Sequence, residues 1–285
     1  MEEKNRELNK ILNTEDVLVT AFGAMIGWGW VVSSGGWIQK AGVVGTMFAF
    51  LLGGIMIYFV GLAYAELTTT MPESGGAKVF TQRAFGPVGS FICTWAIILS
   101  YIGVVCFEAC SLPTIIQYIF PKFLKGYLYT VAGFDIYLTW LVVAIVVAIL
   151  ITFINIKGVK AAAKLQKVLT ITIAVVGIIL VAISAINGDS SNLNGQLFVG
   201  EDTTSIAKNI LSVAMVAPFF LFGFDVIPQA AEEINVPLKK LGKLLIFSIA
   251  LAVAFYGLVV LAVGYGMNAN EVTSSVSGSG LVTAD

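Results

Sequence analysis

Histidine is absent from the 285 residues, and only 12% of them are charged. The first absence removes the side chain that most often relays protons near neutral pH and most often ligates transition metals. The second excludes an ordinary soluble domain, in which about a quarter of residues carry charge. Cysteine is scarce: Cys93, Cys106 and Cys110 fall in one apolar stretch. They read as small core residues rather than a disulfide framework. Net charge is −1, so nothing points to a nucleic-acid partner. No metal-ligand cluster and no nucleophile–base spacing is present, and Ser33 and Ser34 lack a nearby base. The expectation is a non-enzyme with no cofactor and no metal. The N-terminus carries charges of both signs, and no small-residue cleavage site follows the first apolar run, which argues against a cleavable signal peptide.

What the chain has is long apolar runs. Hydrophobic residues make up 58% and mean hydropathy is +0.93. Runs of about 20 residues suit bilayer-spanning helices, whereas membrane barrels show alternating segments of about 10. The fold class is all-α integral membrane. Seven spans are expected, near Val17–Trp37, Val43–Leu67, Pro87–Ile119, Ile136–Ile156, Val168–Ile186, Ile206–Ile234 and Leu238–Met267. Lys and Arg concentrate before the first span and in the 78–83, 157–167 and 239–243 segments, while the opposite side holds Lys40, Lys122, Lys125 and Lys208. By the positive-inside rule the N-terminus is cytoplasmic, and the protein sits in the cytoplasmic membrane in contact with its lipid bilayer. Residues 1–285 read as one transmembrane domain, with a cytoplasmic tail at 1–16 and an extracytoplasmic loop or tail at 268–285. That last stretch is rich in Ser, Gly and Thr and reads as a cut loop, so the chain is expected to be part of a longer protein.

Two spans are interrupted. The first contains Gly23, Gly27 and Gly29; the sixth contains Pro218, Gly223 and Pro228, with Asp225 just after the glycine. In lipid every backbone N–H and C=O needs a partner, so broken helices persist only where they line a protected cavity. Paired Gly/Pro-interrupted spans point to the binding site of a secondary transporter. Counted from Val17, Gly27 lies roughly 15 Å deep, near the bilayer midplane. A helix reopening at Gly27–Gly29 offers free N–H groups and a positive dipole end to a carboxylate. Carbonyls freed in the sixth span could hold an ammonium group, with Phe219, Phe222 and Phe224 covering the site. The competing readings are a small-residue packing face for the first span and a proline-kinked core helix for the sixth.

Other charges sit at membrane depth or at its edge. Glu108, in the third span, is either a proton-coupling group or contact for a cationic side chain, or a carboxyl bonded to a neighbouring helix or reaching the outer interface. Glu66 with Arg83 could form part of an inner gate, or Glu66 could be solvated. Glu232 and Glu233 suit a gate or a loop contact. The lysines of 157–167 read first as an interfacial anchor and second as a lipid-headgroup site.

The stretch Gly23-Ala-Met-Ile-Gly-Trp-Gly29 resembles the first-helix motif of the amino acid–polyamine–organocation (APC) permeases. So do Ala63-Tyr-Ala-Glu66-Leu, Met71-Pro-Glu-Ser-Gly75-Gly76 and Phe85-Gly86. Further matches are Asn155-Ile-Lys-Gly158, then Phe222-Gly223-Phe224-Asp225 with Glu232-Glu233 and Pro237. The resemblance implies a five-plus-five inverted-repeat (LeuT-type) fold and alternating access around a central site. It implies that the Gly27, Trp28 and Gly29 amides bind a substrate α-carboxylate. The Met25 carbonyl, with carbonyls near Phe219, Phe222 and Gly223, would bind the α-amino group. Phe219 would be an aromatic gate, and Asp225, with Glu108 and Glu66, would serve gating or coupling. Trp28 departs from the small hydroxyl residue found in many relatives. Ile173 stands where some relatives place a lysine in the fifth helix.

The function expected is secondary transport of amino acids or related amines, as exchanger or as symporter with a coupling proton or sodium. The alternative is a non-transporting, permease-like scaffold or sensor subunit.

Overall fold

The computed structural model describes residues 10–131, 134–278 and 280–285. Residues 1–9 of the expected N-terminal tail lie outside them. Helix α1 (Thr14–Met25) starts at a capping box, in which the Asn13 side chain accepts from the Glu15 and Asp16 amides and Asp16 reaches back to the Asn13 N–H. It stops at Ile26, and α2 (Gly29–Ala41) resumes after a bend of 46°. Three glycines in seven residues weaken the helix here, each by about 1 kcal/mol relative to alanine. The break therefore falls at the expected place.

Gly42, at φ 81°, turns the chain from α2 into α3 (Val43–Thr70). Helix α4 (Ala77–Ile119) is kinked at Gly86, φ 71°, where Pro87 follows. It thus begins ten residues before the expected third span. A two-stranded antiparallel hairpin, β1 (Tyr127–Val131) with β2 (Phe134–Tyr137), then leads into α5 (Leu138–Ile156), so Ile136 is strand rather than span. Helix α6 (Val159–Asn187) includes Lys160, Lys164 and Lys167, expected in the loop before it, while Lys157 caps the end of α5.

The sixth span is less helical than its length suggests. Helix α7 (Thr203–Ala214) is followed by two four-residue helices, α8 (Ala217–Phe220) and α9 (Val226–Gln229), and a 3-10 turn at Ala231–Glu233. Helix α10 (Leu238–Gly266) packs along α3 through small residues: a methyl on Gly54 would run into Val253, one on Gly61 would sit 2.6 Å from Ile249, and one on Gly242 3.0 Å from Ala65. This is how helices approach closely where lipid supplies no hydrophobic drive between them.

Among the described residues, six helices are long and apolar enough to cross a membrane, or seven if α1 and α2 count as one bent span. Their outward faces carry Phe59, Phe85, Phe91, Ile149 and Ile178, all exposed. Cys106 and Cys110 are also exposed, not in the core as the sequence suggested, and all three thiols are free. On a helix facing hydrocarbon, an apolar residue needs no burial in protein. The segment after α10 is not a bare loop either. Helix α11 (Ala269–Ser277) opens on a capping box of its own, and Val276 and Val282 meet Gly35 of α2.

Candidate functional site

The interrupted spans meet beneath an aromatic cluster. Trp37, Phe50, Phe220 and Tyr256 interlock with centroid distances of 4.7 Å for Trp37–Phe220 and Phe50–Tyr256. Next to it, Ala24, Met25, Gly27, Gly29, Val104, Phe107, Glu108, Phe219, Phe220, Phe222 and Tyr256 enclose a cavity. About 20 Å³ is open to the centre of a water-sized body, room for little more than one water molecule.

Its polar groups are backbone atoms at the helix ends, the Glu108 carboxylate and the Tyr256 hydroxyl. Helix α2 has no side-chain cap of its own, and the Trp28 N–H donates to Glu108 Oε2 of α4 at 3.1 Å. A methyl added at Gly27 would run into the Glu108 carboxylate, so that seat exists only because residue 27 has no side chain. On the other side, the Tyr256 hydroxyl lies 2.9 Å from the Met25 carbonyl and 3.2 Å from that of Phe220. These carbonyls close α1 and α8, where helix ends leave acceptors unpaired. The site therefore presents a donor end and an acceptor end, and each already has a side-chain partner.

The sequence-expected residues divide accordingly. Met25, Gly27, Gly29, Phe219, Phe222 and Glu108 line the cavity, and Trp28 contributes its amide while its side chain does not line it. Phe219 is partly exposed, edge-on to Phe107 at 5.6 Å. Gly223, at φ 125°, sits against the Ala24 backbone and lies outside the cavity lining; its role is the turn.

A model of the amino acid permease family matches residues 16–284. The chain belongs to that family. It is 27% identical over 260 residues to the branched-chain amino acid permease BcaP of Bacillus subtilis (strain 168), covering 88% of this chain and 54% of that protein. It is 24% identical to the aspartate-proton symporter of the same organism, over 89% of this chain and 47% of the relative. It is 26% identical to the BcaP of Lactococcus lactis subsp. cremoris (strain MG1363), over 90% and 56%. The chain thus spans about half the length of the curated relatives it matches. Family and apolar helices together make it part of a multi-pass membrane protein.

In this permease-family chain Asp225 is buried but lies outside the cavity lining. Its Oδ1 accepts from the Tyr101 hydroxyl at 3.0 Å and its Oδ2 from Gln229 Nε2 at 2.6 Å, while Gln229 also reaches the Tyr101 oxygen at 3.1 Å. Tyr101 packs on Phe222 at 5.2 Å, which links this triad to the cavity wall. Glu66 is exposed and shares a shallow depression with Lys243, whereas Arg83 lines a different one with Glu73. The expected Glu66–Arg83 pair is not formed. Arg83 stands on α4 rather than in the loop before it. Glu232 instead accepts from the Ser74 amide at 3.0 Å, and Gly75 N–H donates to the Gln229 carbonyl at 3.2 Å, so the Pro72–Gly76 motif docks on the end of the sixth span. Ile173 is buried in the core. Lys167 pairs with Glu15 at 3.3 Å and Asp16 at 3.7 Å, and Lys160 and Lys164 flank the same depression.

Tyr256, Tyr101 and Gln229 escaped the sequence reading. A tyrosine inside an apolar run has the same pattern as a core aromatic, and only its hydroxyl partner distinguishes it. For Gln229 the available signal was its spacing, one helical turn after Asp225.

Proposed function

We propose that the protein moves amino acids or related amines across the cytoplasmic membrane by alternating access, as an exchanger or a proton- or sodium-coupled symporter. The observation that carries this reading is the meeting of two helix breaks at one cavity. There the N-terminal amide of α2 stands opposite the terminal carbonyls of α1 and α8, the complementary ends that an α-carboxylate and an α-ammonium require. Relatives named as amino acid permeases support it. The reading includes a LeuT-type inverted-repeat architecture, a single transmembrane domain, a cytoplasmic N-terminus, Phe219 as the gate and Asp225 as a coupling or gating group held by Tyr101 and Gln229.

Uptake of labelled amino acids into proteoliposomes containing the full-length protein tests it. Uptake abolished by bulky substitution at Gly29, where a methyl would sit 2.7 Å from the Phe220 ring, is the expected result. If no amino acid or amine is bound or carried, the reading fails. The filled cavity favours one second reading, a permease-like scaffold or sensor. A carrier gains thermal stability with its substrate and a scaffold does not.

A further inference from the structure

Glu108 is not simply near the first break; it is seated in it. Its carboxylate takes the Trp28 N–H from a position 80 residues away in sequence, and Gly27 gives the close approach that a side chain would block. No lysine or arginine lines the cavity. The group stabilising this carboxylate is therefore the α2 N-terminus, the same group that the proposed function assigns to a substrate carboxylate. The other end differs. Tyr256 is 1% exposed and its hydroxyl has one proton for two carbonyls, each with a second lone pair. A ligand ammonium can join Tyr256 on the Met25 and Phe220 oxygens, but a ligand carboxylate and Glu108 cannot both take the Trp28 amide.

We propose that Glu108 is a resident stand-in for the ligand carboxylate, and that carboxylate-bearing ligands bind by displacing it from the Trp28 amide. This rests on the transport reading for the identity of the ligand but not for the existence of the carboxylate position. It gives Glu108 a specificity role. An amino acid must evict Glu108, whereas an amine without a carboxylate leaves it in place and gains its charge.

The test has two arms on the full-length protein in lipid nanodiscs. In the first, Glu108→Ala vacates the position, and Glu108→Ser does so with a polar replacement should the alanine variant fail to fold. Acetate should raise the melting temperature of the vacated variant and leave the wild type unmoved, with chloride at equal ionic strength as the control. A folded variant indifferent to acetate overturns the proposal whatever the protein transports. In the second arm, Glu108→Gln keeps the shape and removes the charge. L-leucine should bind the variant about tenfold or more tighter than wild type, the factor of roughly one charged hydrogen bond, and 3-methylbutylamine should bind it more weakly. Weakening of both ligands would make Glu108 a direct ligand of the ammonium and overturn the proposal. Acetate rescue without binding of any amino acid or amine to wild type would sink the transport reading while leaving the carboxylate position supported.

Discussion

Tyr101 donates its hydroxyl proton to Asp225 at 3.0 Å, joining the middle of α4 to the sixth-span break. Burial makes this bond consequential, because a buried carboxylate that loses a donor has no water to replace it. Tyr101→Phe should lower stability by about 1–3 kcal/mol. Combined with Gln229→Ala, it should show non-additive coupling, since Gln229 bonds both partners. Thermal melts of the two single variants and the double variant measure this; strict additivity would show that the triad does not act as a unit.

Two glycines should respond oppositely to alanine. Gly223 has φ 125° and an added methyl would sit 2.7 Å from the Ala24 carbonyl oxygen. Gly223→Ala should therefore cost about 1–3 kcal/mol, the price of a forced left-handed backbone, before any clash. Gly257 lies within α10 with nothing inside 4 Å of an added methyl, so Gly257→Ala should stabilise by about 0.5–1 kcal/mol. Paired melting curves give the comparison.

Ser34 is fully buried in α2, and among the described residues its hydroxyl has no hydrogen-bond partner. Ser34→Ala removes that desolvated group at almost no change in volume. The variant should be as stable as wild type or more stable by about 1 kcal/mol. A clear loss in melting temperature would mean that the hydroxyl has a partner in the assembled membrane protein.

Asp202 caps α7. Hydrogen bonds from the Ser205 side chain and then from its backbone N–H hold the Asp202 carboxyl below its ordinary value. A depressed folded value means that the contribution is present above the unfolded value of about 3.9 and disappears as pH falls through the folded one. Amide exchange at the start of α7 should therefore speed up on acidification beyond its intrinsic pH trend, and Asp202→Asn should flatten that extra dependence.

The spans and the α1–α2 break were legible because each rests on local physics: apolar length for the first, glycine against helix propensity for the second. What was misread was also local, but ambiguous. Lys160, Lys164 and Lys167 read as loop charges, yet lysine is a good helix former whose stem can lie along a helix while its head reaches water, so α6 starts earlier. The helix at 77–85 was hidden between Gly75-Gly76 and Gly86-Pro87, pairs that read as loops. The capping box from Asn268 to Glu271 was a readable signal for α11, outweighed by the Ser- and Thr-rich composition around it. The most distant partners of Glu108, Asp225 and Tyr256, namely Trp28, Tyr101 and Met25, could not be read at all. They lie 80, 124 and 231 positions away, and side-chain pairing at that range is decided by which helices pack together. Glu108 takes its hydrogen bond from the Trp28 amide in the break between α1 and α2.

The chain just before α1 has a mechanical meaning for the two broken spans. Ile11 and Leu12 donate to the Glu233 carbonyl at 2.9 and 3.0 Å, and Asn235 donates back to Leu12 at 2.8 Å. The chain entering α1 is thereby laced to the chain leaving the sixth span, at the end away from α2. These two ends form a hinge plate rather than a pair of doors. Any motion that parts them must first unlace three main-chain bonds, so displacement of α1 carries the end of the sixth span with it.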